Sequence, residues 1–124
     1  MEKKNIDILD QVRYYCEDIE NTMNRFGKEC STFENDIDYR NSICMSLLQI
    51  IESADNLSGD FVGETEEIVY WPTISEIREL FIDGYAAIDS EKVWETVTSL
   101  IPVLHSFCDN SIQMNHYINQ DDVQ

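Results

Sequence analysis

Glycine and proline are scarce in this chain, four and two among 124 residues. The shortage argues against folds that depend on frequent tight turns, as an all-β domain of this length would. Long helices with few joints need far fewer. Basic residues are scarce as well: eight lysines and arginines stand against 25 aspartates and glutamates, giving a net charge of −17. After position 40 only Arg78 and Lys92 are basic. Such a field repels phosphodiesters and disfavours RNA or DNA held through many phosphate contacts. A basic partner protein, or a partner held through an apolar face, is compatible with it.

Other absences narrow the class further. Cys16, Cys30, Cys44 and Cys108 contain no CxxC pair, and no histidine stands at ligand spacing beside them. Three of the four fall among apolar residues at helical intervals, the pattern of buried thiols, so neither disulfides nor zinc is expected. The first ten residues, MEKKNIDILD, lack the apolar core of a signal peptide, and no apolar run approaches a membrane span. These features predict a cytoplasmic, soluble protein, one domain over residues 1–124, with no cofactor and no membrane partner.

What the chain does have is helical periodicity. Ile6, Leu9, Val12, Cys16, Ile19, Met23 and Phe26 recur at intervals of three and four, predicting a first helix over 5–26 that Gly27 ends as a left-handed cap. Residues 28–35 read as a connection. A second helix runs from Ile37 through Leu47 and Ile51 towards Gly59. Residues 59–70 read as a long loop, with Phe61, Val62, Ile68 and Val69 lying back on the core. Thr73 and Glu76 have the spacing of a capping box, so a third helix is expected to start near Ile74 and to stop or bend at Gly84. Asp89 or Ser90 caps a fourth, whose apolar stripe runs from Val93 to Ile112. Pro102 inside that stripe predicts a kink or split near Ser99, and the tail beyond about Tyr117 reads as frayed. The expected fold is all-α, an up-and-down bundle of four to five helices.

One stretch, residues 71–85 with the sequence WPTISEIRELFIDGY, sets a lone arginine in the acidic part of the chain. On an ideal helix Ile74, Ile77, Phe81 and Tyr85 share one side with Arg78 at its edge, and Glu76, Glu79 and Asp83 line the other. Asp83 lies about 140° round from Arg78. The two meet only if the helix bends near Gly84 or two copies face each other. The plainer readings are a surface Arg78 paired with a carboxylate and Tyr85 as a core-edge aromatic. Glu76, Glu79 and Asp83 read as a charged solvent face rather than a metal site. His105 and His116 read as polar or half-buried, and Trp71 and Trp94 as core or dimer-contact rings.

The order WPTISEIRELFIDGYAAIDSEKVWETVTSLIP resembles the HepT-like branch of the HEPN superfamily. The resemblance rests on Trp71 before Pro72, on Arg78 with Tyr85 seven positions on, on Ile88 and Asp89, on Val93 and Trp94, and on Ile101 before Pro102. It implies a HEPN-like helical homodimer acting as a metal-independent ribonuclease toxin, paired with a minimal nucleotidyltransferase antitoxin that adenylylates the motif tyrosine. Carried onto this chain, Arg78 is the family arginine, Tyr85 the modifiable tyrosine and Asp83 the position where the family has histidine. Imidazole exchanges protons near neutral pH, whereas an exposed aspartate is an anion there. Glu79, next to the arginine, adds negative charge as an accessory residue. The resulting expectation is the toxin component of a type VII-style toxin–antitoxin pair with cleavage weak or lost. The alternative is a non-catalytic helical adaptor or nucleotide-sensing module on the same fold and dimer surface.

Overall fold

The computed structural model describes residues 1–82 and 88–122. Three long helices form its frame: α1 (Lys3–Phe26), α3 (Ile37–Ala54) and α6 (Ser90–Asp122). Between them lie three short helices, α2 (Cys30–Asn35), α4 (Gly59–Thr65) and α5 (Trp71–Glu76), and α5 runs on into a 3-10 helix (Ile77–Phe81). Among the described residues there is no strand, and the fold is all-α as the periodicity predicts.

The stripes of the long helices make the core. Leu9, Val12, Cys16 and Ile19 of α1, Ile43, Leu47 and Ile50 of α3, and Val93, Ile101 and Leu104 of α6 are all buried in one cluster. Ile37 is the exception to the expected second stripe, being exposed, because it opens α3 ahead of the turn at which packing begins with Tyr39. Cross-helix bonds fix the directions. The Ser46 hydroxyl donates to Asp18 at 2.6 Å and Asn5 exchanges two bonds of 3.0 Å with Ser58, setting α1 antiparallel to α3. Arg13 reaches Asp109 at 3.1 Å, and His105 lies 3.2 Å from Glu17, setting α1 antiparallel to α6 as well. It follows that α3 and α6 run the same way, and the chain between them has to travel back along the bundle.

Gly27 closes α1 at φ 106°, a backbone conformation that favours glycine, and its N–H donates to the Met23 carbonyl at 2.8 Å. Its ψ of 146° then extends the chain instead of keeping it in the left-handed helical region. The Tyr39 hydroxyl donates to the Gly27 carbonyl at 2.8 Å, tying the end of α1 to the start of α3. The connection expected over 28–35 holds α2, which buries Phe33 against the rings of Tyr39 and Trp94.

Three further expectations are corrected. The second helix ends at Ala54, and the loop expected over 59–70 contains α4. Ser58 is its cap, the hydroxyl accepting from the Phe61 N–H at 3.3 Å. Phe61 and Val69 do face the core, but Ile68 is exposed. The third helix starts at Trp71 and not at Ile74, with Tyr70 as a cap that offers no side-chain bond. The reason is Pro72, which has no N–H to satisfy and a preset φ suited to a first turn, so the helix begins around it and Thr73 falls inside. The capping box of Thr73 and Glu76 is therefore not formed. Finally, α6 passes through Pro102 unbroken and reaches Asp122. Pro102 is on the exposed side, where the carbonyl it leaves without a donor can face water. On the preceding turn the Thr98 and Ser99 hydroxyls bond the carbonyls of Trp94 and Glu95 at 2.9 and 2.8 Å.

Cys16, Cys44 and Cys108 are buried and Cys30 is half-buried, all four free. Burial pushes the Cys44 thiol up to about 11 and Cys108 up to about 12, and raises Cys16 as well. No described helix is long and apolar enough to cross a membrane.

Candidate active site

Arg78 stands in the first turn of the 3-10 helix, on the stretch that leads to position 83. A 3-10 helix has three residues per turn, so the α-helical projection does not apply over residues 77–81. Ile77 beside it is buried and anchors the segment, leaving Arg78 and Glu79 outward. Asp83 and Tyr85 lie outside the described residues.

The partner of Arg78 is Asp55. The guanidinium Nη2 donates to its carboxylate at 2.5 Å, and the Ser75 hydroxyl donates to the other carboxylate oxygen at 2.8 Å. Asp55 follows directly on α3, at the helix end where the macrodipole disfavours an anion. Arg78 and Ser75 supply what that position lacks. Partial burial alone would push the Asp55 carboxyl up, but the bonds from Arg78 and Ser75 and the charge of Arg78 outweigh it and hold it below its ordinary value. The pair is open to water, with side-chain exposures of 50% for Arg78 and 36% for Asp55, so it is screened and contributes little stability.

Sequence spacing could not have found Asp55, because 23 residues separate it from Arg78. The one clue was an aspartate at the end of a helical stripe, where a cation is the better neighbour. A depression of about 430 Å³ lies beside the pair, floored by Leu57, Val62 and Trp71 and walled by Asp55, Ser75 and Glu76. Glu76 and Glu79 are exposed. An anion approaching Arg78 meets Asp55, Glu76 and Glu79 around a single guanidinium.

The other candidates are placed elsewhere. His105 sits half-buried between α1 and α6, Nε2 towards Glu17 and Nδ1 3.7 Å from Glu20, where it ties helices together. Trp71 packs on Phe61 and Phe107 and donates its indole N–H to Thr65 at 2.8 Å. Trp94 packs on Phe33 and Tyr39. Both rings are taken up in core contacts, as core aromatics are. Among the described residues no group of three or more histidine, cysteine or acidic side chains is arranged to hold a metal ion.

A family model described as "Ribonuclease HepT-like" matches residues 12–111. No curated protein and no solved structure gives a significant match. The matched span runs from about two and a half turns into α1 well into α6, and it encloses the Asp55, Ser75 and Arg78 cluster together with positions 83 and 85. The all-α frame and this span agree: the chain belongs to the HepT-like ribonuclease family.

Proposed function

We propose that this chain is the toxin-type component of a type VII-style toxin–antitoxin pair, a cytoplasmic homodimer partnered by a minimal nucleotidyltransferase antitoxin, with RNA cleavage weak or lost. Metal-independent cleavage of a phosphodiester needs a cation to hold the phosphate and a group that takes and gives protons near neutral pH. Arg78 is suited to the first role. Asp83 stands where the family has histidine, and a carboxylate, unlike an imidazole, does not exchange protons near neutral pH, so it does not suit the second. Tyr85 remains as the residue a nucleotidyltransferase would modify.

The observation that supports this reading best is the Arg78–Asp55 ion pair. A phosphate must displace or share with a carboxylate already bound to Arg78, in the presence of Glu76 and Glu79. The same observation favours the second reading, a non-catalytic adaptor or nucleotide-sensing module, to the extent that cleavage is absent altogether.

The test is RNA cleavage by purified protein. Native chain is expected to cleave little, and Asp83→His to cleave more. Rapid cleavage by the native chain that Arg78→Ala abolishes would overturn the loss of activity. Intact mass after incubation with ATP and a cognate minimal nucleotidyltransferase should show an adenylate, absent in Tyr85→Phe. An unchanged mass with an active partner counts against the pairing, and a strict monomer by light scattering counts against the dimer.

A further inference from the structure

The exposed apolar residues of this chain are of two kinds. Tyr14, Ile37 and Met45 protrude from the long-helix frame and line none of the four best-formed depressions among the described residues. Isolated side chains of this sort are ordinary on a soluble surface. Val103, Met114 and Ile118, by contrast, fall along one side of α6 with Phe107 between them, and Ile68, from the link between α4 and α5, faces them across a groove of about 810 Å³. Val103 is 52% exposed, Met114 60% and Ile68 64%. No acidic or basic side chain is among the residues lining this groove, although the chain as a whole carries −17. An exposed apolar face rimmed by polar residues is suited to meeting a partner.

The groove does not stop at its apolar walls. Met1, Ile68, Phe107 and Ser111 also line a second depression of about 630 Å³, whose remaining wall carries Glu2, Asp60 and Glu64. Neither Lys3 nor Lys4 lines either one. The result is a single channel, apolar along α6 and acidic beside α4. From Pro102 to Ile118 it spans roughly 24 Å of helix, the length of about four helical turns.

We infer that this channel docks an amphipathic helical segment of a partner protein, its apolar face against Val103, Phe107, Met114 and Ile118 and its lysines or arginines against Glu2, Asp60 and Glu64. Helix-in-groove recognition lays the apolar face of an incoming helix, its anchors at intervals of three and four, into an apolar groove, and this wall offers that face Val103, Phe107, Met114 and Ile118 at intervals of four and seven. The acidic end sets the sign of the partner. A second copy of this chain is a poorer occupant of this channel, because it would bring the same three carboxylates to it, whichever other face a dimer uses. The inference does not depend on RNA cleavage or on the fate of Tyr85.

A fluorescein-labelled synthetic helix of about four turns, with leucines along one face and lysines towards one end, is titrated into the full chain and followed by anisotropy. A version with glutamates in place of the lysines is the comparison. The lysine peptide should bind, and the glutamate version should bind at least roughly tenfold more weakly. Val103→Asp with Met114→Asp should weaken the lysine peptide by a similar factor, roughly tenfold. Asp60→Lys with Glu64→Lys should weaken it and flatten its salt dependence. Glu29→Lys with Glu91→Lys makes the same charge change away from the channel and should matter little. Val103→Gln with Met114→Gln serves should the aspartates unfold the chain, which circular dichroism reveals. Equal affinity for both peptides overturns the inference, as does equal loss from the remote charge change or no loss from the groove substitutions. Sedimentation showing a native dimer that the groove substitutions dissociate would make a second copy the occupant, and that too overturns it.

Discussion

The long-helix frame and the short helices obey different rules. In α1, α3 and α6 a stripe repeated over many turns decides what is buried, and no single side-chain bond is indispensable. In α2, α4, α5 and the 3-10 helix few residues are buried, so position depends on particular hydrogen bonds: Ser58 to Phe61 and Asn5, Trp71 to Thr65, Arg78 and Ser75 to Asp55. The frame holds the stability and the short segments hold the candidate site. Lengthy periodicity makes a robust body, and the parts that carry chemistry rest on individual contacts.

The sharpest measure of that difference is thiol reactivity. Cys16, Cys44 and Cys108 lie in the frame, buried and protonated at neutral pH, and should react with a thiol reagent only through opening of the bundle. Cys30, on α2, should react first, by a factor on the order of a thousand or more, though more slowly than a free thiol because partial desolvation, then the bond to Glu34 at 3.5 Å and nearby acids raise it. Equal reactivity of all four would erase the distinction.

Next in size is Leu47→Ala. It removes a fully buried side chain from the frame and should cost about 2–5 kcal/mol in urea unfolding. Ser58→Ala touches a short helix only, yet should cost about 1–2 kcal/mol, since it removes the α4 cap and a partner of the buried Asn5 amide. A negligible cost would mean that the short helices are held by burial after all.

The smallest effect is expected at the site. Asp55→Asn should change stability by no more than about 1 kcal/mol at neutral pH, because the pair with Arg78 is exposed. Its acid dependence has a definite sign. The folded carboxyl is held below its ordinary value, so its contribution is present above the ordinary carboxylate range and is lost as pH falls through the folded value. Acid titration of stability should be steeper, by that small amount, in the native chain than in Asp55→Asn.

The same contrast explains what could be read from the amino acids. The stripes of α1, α3 and α6 were legible, with Gly27 as a stop, because a repeat sums many weak preferences over a long window. Ser58 as a cap, the start of α5 at Trp71 and the 3-10 turn were not, since each is decided by one or two residues in a tertiary setting. Pro102 was read as a kink or split near Ser99, and the split is averted by its place on the wet face of α6. At the site, Arg78 was singled out by its isolation, and its pairing with a carboxylate was the plain expectation. Which carboxylate, Asp55, depended on where α3 ends, a fact no spacing within 71–85 contains.

The two aromatic clusters give the bundle built-in optical probes. Trp94 lies among Phe33 and Tyr39, Trp71 among Phe61 and Phe107, and Trp94 and Phe107 are separated along α6 by roughly 20 Å. There is no other tryptophan. The tryptophan emission of a chain carrying Trp71→Phe comes only from the level of α2, and that of one carrying Trp94→Phe only from the level of α4 and the channel beside it. Their fluorescence, followed during unfolding or peptide titration, shows whether the short helices loosen before the frame or together with it.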